Sequence, residues 1–173
     1  MNSDFRQLKD KAAARLFTKY PALVEKWAKK ASIMTFSDVP WSPVTTNADQ
    51  WRLALVTTGG VHLKSQTPFD MFDPAGDPTF REIPDNISLS DLMITHNYYN
   101  HRDADKDMNI ILPLSRVAEL KQSREIKSVN LRHFSFMGHI TDHHIDTLIN
   151  ETAPKVAAAL QKDGVHAVIL TPG

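Results

Sequence analysis

Eight histidines and no cysteine set the chemistry that this 173-residue sequence can carry. His62 follows a Thr57-Thr58-Gly59-Gly60 run, His96 and His101 bracket an Asn-Tyr-Tyr-Asn stretch, and His139, His143 and His144 surround a helix start. An imidazole supplies a metal ligand or a group that titrates near neutrality. His96 and His101 are five apart, and His139 stands before the helix that contains His143. Neither pair has the i, i+4 spacing of a helical ligand pair, so no metal is expected. His96, His101 and His139 remain candidates for a polar site. Asp103, Asp105 and Asp107 alternate as in a calcium loop, but Met108 and Leu114 stand where that loop needs glycine and glutamate. A solvated loop is the better reading. With His96, His101 and Asn109, the same stretch could accept hydrogen bonds from the ammonium group of an amino-acid substrate. Asp70, Asp73, Asp77 and Arg81 either order a loop through local turns and ion pairs, or leave Arg81 to bind a carboxylate as a fork. His133 falls in an expected strand, where a satisfied core histidine is the default. No serine-histidine-acid arrangement can be read from order, and the absence of cysteine excludes disulfides, zinc-thiolate sites and thiol catalysis within these residues.

The elements that must position these residues begin with Leu53-Ala54-Leu55-Val56, an unbroken apolar run that ends in Thr57, Thr58, Gly59 and Gly60. Such a run suits a strand buried on both faces of a parallel sheet. The glycine pair lets the backbone turn sharply or approach a ligand past the strand's carboxyl end, where open α/β sheets bind ligands. On the residues alone a tight strand-to-loop turn is the better reading than an anion held on backbone amides; the pair makes neither a dinucleotide fingerprint nor a phosphate loop. Val165–Leu170 repeats the pattern as a second buried strand and runs into Thr171-Pro172-Gly173.

In chain order, residues 3–19 predict a helix capped by Ser3 or Asp4, with Phe5, Leu8, Ala12 and Leu16 inward. A second helix from Pro21 to about Ser32 would bury Leu23, Val24, Trp27 and Ala31. These form an N-terminal helical segment over 1–33, its excess of lysine and arginine read as a solvated face rather than a dock for an acidic partner. A connecting loop spans 34–51, with Val39, Pro40, Trp41 and Pro43 packed onto the domain, and an α/β domain spans 52–173. Residues 58–86 read as a long, functional loop with strand signal only at Phe80–Ile83. A capped turn at Ser88, a short strand to Thr95, a helix to about Gln122 with Val117 and Leu120 inward, and a strand over Val129–Phe136 follow. Thr141 caps a final helix whose apolar face is Ile145, Leu148, Ile149, Val156 and Leu160. Pro154 should kink it and Gly164 should end it. The fold class is α/β, a mainly parallel sheet with flanking helices and an N-terminal helical pair.

Twenty basic and twenty acidic residues cancel. Nothing in that balance argues for nucleic acid or an anionic membrane as partner. No apolar run reaches transmembrane length, and the N-terminus lacks a signal-peptide core, so the chain reads as cytoplasmic.

Five stretches together carry a resemblance: 52–64 (RLALVTTGGVHLK), 66–84 (QTPFDMFDPAGDPTFREIP), 94–109 (ITHNYYNHRDADKDMN), 133–139 (HFSFMGH) and 165–173 (VHAVILTPG). From about Trp27 to Gly173 the chain resembles the selenoprotein B family of glycine, sarcosine, betaine and D-proline reductases, on the branch of the D-proline reductase selenocysteine subunit. The resemblance implies a subunit that cleaves a carbon–nitrogen bond in a small amino acid or amine. It places selenocysteine or cysteine immediately after Gly173 and a second cysteine two residues later, and so puts no catalytic residue in this chain. A selenol or thiol at a helix head would have its anion stabilised by the helix N-terminus. A pyruvoyl group holding the substrate amine would sit on a partner subunit. Thr57, Thr58, Gly59, Gly60, His62, His96, His101, His139, Thr171 and Gly173 are then the expected rim of the site, clustered at the carboxyl ends of the strands. The end at Gly173 is read as an in-frame UGA taken as stop, with a boundary chosen for expression as the competing account. A missing covering helix would leave apolar surface, so a homo-oligomer or a partner over the C-terminal surface is expected. The alternative function is a noncatalytic small-ligand-binding or scaffold domain.

Overall fold

The computed structural model describes residues 3–20, 22, 23, 25, 29 and 42–173. Helix α1 (Ser3–Lys19) leads into strands β1 (Arg52–Thr57), β2 (Val61–Leu63), β3 (Phe80–Pro84) and β4 (Leu92–Ile94). Helix α2 (Leu114–Gln122) precedes β5 (Ser128–Val129) and β6 (Arg132–Phe136). A helix then runs as α3 (His144–Thr147), a π-turn (Leu148–Thr152) and α4 (Ala153–Lys162) before β7 (Ala167–Thr171).

β1 is the centre of the sheet, as its unbroken apolar run predicts. One edge pairs in parallel with β7 over Leu53–Thr57, and the other pairs in parallel with β5 and then β6. The single strand expected over Val129–Phe136 is thus interrupted at Asn130–Leu131: Asn130 N–H still donates to the Leu53 carbonyl of β1 at 2.8 Å, and Leu131 turns outward, 84% exposed. β3 closes the sheet antiparallel to β6, while β2 and β4 form a separate antiparallel pair. The mainly parallel α/β class is therefore observed.

Alternation along β1 divides the core. Leu53 and Leu55 join Val61, Ile83, Leu112 and Val117 on one face. Ala54 joins Phe134, Phe136, Val156 and Leu160 on the other, beneath α4. Complete burial of a leucine such as Leu55 contributes roughly 1.5–3 kcal/mol.

Several expectations change. β7 is an outer strand rather than a buried one: Val168 and Ile169 are each 37% exposed and Leu170 is 73% exposed. Both edges of β1 are taken, and among the described residues nothing pairs with the far edge of β7. α1 has the expected bounds but the opposite face. Phe5, Leu8, Ala12 and Leu16 are exposed while Ala14 is buried, because the helix lies across polar loops and Arg6 donates to the Phe72 carbonyl. Leu23 is exposed. Val24, Trp27 and Ala31 of the second helix lie outside the described residues, as do Val39, Pro40 and Trp41; Pro43 is exposed.

Thr141 does not cap the last helix; its hydroxyl reaches the Ala75 carbonyl instead. Ile149 is exposed, because the π-turn before Pro154 rotates the helix face that the 3.6-residue period assumes. The long stretch at 58–86 contains two strands, β2 and β3, rather than loop alone. The Ser88 turn, the bounds of α2 and the left-handed Gly164 at φ 69° are as expected.

Candidate functional site

The carboxyl ends of β1, β6 and β7 meet at the threonine-glycine turn. Thr58 donates its backbone N–H to the Thr171 carbonyl at 2.9 Å, and the Thr57 hydroxyl donates to the same oxygen at 3.2 Å. Gly59 N–H in turn donates to Thr57 Oγ1 at 3.1 Å. Gly60 N–H donates to the Phe136 carbonyl, and Gly60 takes φ 69° with its Cα packed beside the Thr95 carbonyl. Gly173 N–H donates to Thr58 Oγ1 at 3.2 Å, and a Cβ on Gly173 would stand 2.6 Å from Gly59 Cα. Thr57, Thr58, Gly59, Gly60, Thr171 and Gly173 are thus one contiguous patch.

The histidines divide. His62 is fully buried beneath the patch: its Nδ1–H donates to the Leu63 carbonyl at 2.8 Å and its Nε2 pairs with the Thr95 hydroxyl at 2.8 Å. Burial holds its pKa below the usual histidine value. It supports the turn and has no free face. His133 is the satisfied core histidine that the strand predicts, accepting from Leu55 N–H at 3.0 Å and facing Asp85. His96, His101 and His139 are linked by two tyrosines into a row of rings. His139 stacks on Tyr98 at 3.8 Å, and His96 meets Tyr98 edge-on at 5.8 Å and Tyr99 at 4.6 Å. Tyr99 meets His101 at 5.6 Å and donates its hydroxyl to the Gly59 carbonyl at 2.9 Å. The row therefore joins the glycine turn through Tyr99.

His96 is 6% exposed. Its Nδ1 accepts the Tyr98 N–H at 3.1 Å, so in the neutral ring the proton is on Nε2. Burial, helped by the nearby His139 and His101, lowers its pKa to about 4. It is a neutral N–H donor at pH 7, and among the described residues Nε2 has no hydrogen-bond partner. Burial also raises the Tyr99 pKa, which keeps that hydroxyl a donor.

His96, Tyr99, Asn100, His101, Arg102 and Asp105 form one wall of a cavity of about 670 Å³. The other wall is α1, through Lys11, Arg15, Thr18 and Lys19. Four cationic side chains face one carboxylate, Asp105, which already pairs with His101 Nδ1 at 2.8 Å. Such a cavity favours an anionic group. The three basic residues of α1 recur every fourth position, a helical stripe that the sequence displays but that reads as a solvated face. Tyr98 and Tyr99 were visible only as the stretch between two histidines; their stacking depends on tertiary contacts.

Asp77 and Arg81 of the long loop are structural. Asp77 accepts from Asp70 and Thr79 N–H, and Arg81 donates to the Thr67 and Pro68 carbonyls, lies 3.6 Å from Asp77 and covers the Phe69 ring. Arg81 is consumed by the loop and is not a carboxylate fork. Asp103 pairs with Lys106, and Asp107 accepts from Asn109 N–H, as a solvated loop would have it.

Similarity to known proteins extends over most of the chain. The chain is 37% identical over 133 residues to the D-proline reductase subunit gamma of Acetoanaerobium sticklandii, covering 77% of this chain and 53% of that protein. It is 26% identical over 156 residues to the sarcosine reductase complex component B subunit beta of Peptoclostridium acidaminophilum, covering 85% of this chain and 34% of that protein. It thus spans about half the length of the first relative and about a third of the second. No solved structure matches. The family model for glycine/sarcosine/betaine reductase selenoprotein B matches residues 10–173, and the chain belongs to that family.

Proposed function

We propose that the chain forms the substrate-positioning part of a cytoplasmic, selenocysteine- or cysteine-dependent reductase subunit that cleaves a carbon–nitrogen bond in a small amino acid or amine. The observation that carries this reading is the cationic cavity joined through Tyr99 to the turn on which Gly173 packs. In this reading Lys11, Arg15, Lys19 and Arg102 receive the substrate carboxylate, neutral His96 donates its Nε2–H, and Asp105 faces the ammonium group. A redox residue following Gly173 supplies the reducing selenol or thiol, and an amine-binding pyruvoyl group belongs to a partner subunit. Gly173, against Gly59, sets where that residue leaves the sheet. Association over the exposed β7 strand, with a second copy or with a partner subunit, completes the assembly.

Two measurements test the reading. Calorimetric titration of the chain with D-proline, glycine and betaine is expected to show binding. A charge-assisted hydrogen bond contributes about 1.5–3 kcal/mol, so Arg15→Ala should weaken it by about tenfold or more. Equal affinity in a Lys11→Ala, Arg15→Ala, Lys19→Ala triple variant would remove the cavity from the reading. Sequencing the gene past codon 173 is expected to show UGA or a cysteine codon, then a helix-coding frame with a second cysteine. Any other sense codon there would sink the redox assignment.

A further inference from the structure

Asp73, His143 and His144 converge at the start of α3, outside the cavity. One ligand atom of each lies within 4.8 Å of the other two. His144 Nε2 meets Asp73 Oδ2 at 2.9 Å, while Asp73 Oδ1 accepts the Ala75 N–H at 2.8 Å and so fixes the carboxylate's direction. The Asp73–Gly76 turn is fastened to the segment before α3. Gly76 and Ile140 form an antiparallel bridge, Thr141 N–H donates to the Ala75 carbonyl at 2.9 Å, and His139 Nε2–H donates to the Pro74 carbonyl at 2.9 Å. Gly76 has φ 92°, and a Cβ there would stand 1.7 Å from the His139 carbonyl oxygen, so this contact requires glycine. Asp142 takes φ 50°, and the chain then presents His143 and His144 with ring centroids 4.0 Å apart. His143 is exposed, and its ring makes no hydrogen bond among the described residues.

We propose that Asp73, His143 and His144 bind a divalent first-row transition-metal ion of the Zn²⁺ type. Two imidazoles and one carboxylate suit zinc, cobalt, nickel or ferrous ions better than the all-oxygen cages of calcium and magnesium. The ion takes the place of the proton between His144 and Asp73. With metal–ligand bonds of ~2.0–2.2 Å, a tetrahedral edge is only a few tenths of an ångström longer than the hydrogen bond already present. His143, otherwise idle, becomes the third ligand, and a fourth position stays open to water. Helical i, i+4 spacing does not reveal the set, because its carboxylate comes from a loop 71 residues before His144. The ion clips the Asp73 turn to the segment carrying His139 and so fixes the end of the ring row.

The test uses the untagged chain, stripped with a chelator and titrated with Co²⁺ alone, then Zn²⁺. A single equivalent of Co²⁺ should bind at neutral pH with a tetrahedral visible absorption that Zn²⁺ abolishes, and binding should weaken as the pH is lowered. His143→Ala leaves every hydrogen bond of the metal-free turn in place and should weaken binding at least ~10-fold, as should His144→Gln. Circular dichroism confirms that each variant is folded. Absence of the absorption, or unchanged affinity in both variants, would overturn the site and assign any bound ion to other histidines.

Discussion

Thr95 donates its backbone N–H to the Gly60 carbonyl at 3.0 Å, and its own carbonyl oxygen lies 2.6 Å from where a Cβ on Gly60 would stand. The two residues join the threonine-glycine turn to the histidine-tyrosine loop through backbone alone. Gly60→Ala therefore meets both a left-handed φ and an oxygen that cannot move independently. It should cost roughly 1–3 kcal/mol, read as a lowered urea midpoint at unchanged slope. Gly59→Ala should cost less, because its Cβ would meet the Ile111 Cδ1 methyl at 2.8 Å, the far end of a side chain that can rotate. Equal losses for the two variants would contradict this account of the turn.

Stability should fall as the solution is acidified from pH 7 towards 4. His96 is buried with its pKa lowered to about 4, while in the unfolded chain it titrates near 6.5. Between those values the unfolded state binds a proton that the folded state refuses, so the contribution is present above pH 6.5 and shrinks as pH falls. The loss integrates to roughly 3 kcal/mol for His96 alone. His62 and His133, also lowered by burial, act in the same direction. His96→Leu should flatten this limb in urea unfolding followed at successive pH values. An unchanged slope would mean that His96 is solvated.

How far the sequence discloses this arrangement depends on the range of the interaction. β1 is legible because a strand buried on both faces needs apolar residues at every position, and Leu53–Val56 supply them. The Ser88 turn and Gly164 are legible because capping is local. β7 carries the same apolar signature yet lies at the edge, since strand order is set by pairing partners and leaves no mark on the strand itself. α1 shows its ends but not its buried side: Phe5 and Leu8 look like a core face, whereas Lys11, Arg15 and Lys19 line the cavity. His62 and His96 are chemically identical in sequence. Only the fold makes one a buried prop and gives the other a free nitrogen.

Position in the sheet also separates two leucines. Leu55 is fully buried in the central strand, so Leu55→Ala should cost about 2–5 kcal/mol. Leu170 pairs with Val56 through its backbone but is 73% exposed, so Leu170→Ala should stay within about 0.5 kcal/mol for the isolated chain. If association covers β7, the second variant should instead weaken the assembly, seen as a lower mass by light scattering at fixed concentration. A large loss of monomer stability on Leu170→Ala would restore the buried-strand expectation.

Tyr99→Phe tests whether cavity and turn are one unit. The Tyr99 hydroxyl is the donor to the Gly59 carbonyl, and Gly59 is buried, so removing it leaves that oxygen without this partner. The direct effect should be a loss of about 0.5–1.5 kcal/mol in chemical denaturation. The ring remains and still packs edge-on against His96 and His101. Amide exchange at Gly59, Gly60 and Gly173 should therefore quicken, because the turn opens locally at lower cost. If the proposed function holds, with the basic stripe of α1 and His96 receiving the carboxylate, ligand affinity should change by less than about threefold. If affinity instead falls as far as in Arg15→Ala, the tyrosine hydroxyl contacts the ligand directly. If neither exchange nor stability moves, the Gly59 carbonyl is served by water, and the link from the cavity to the place where Gly173 packs is broken.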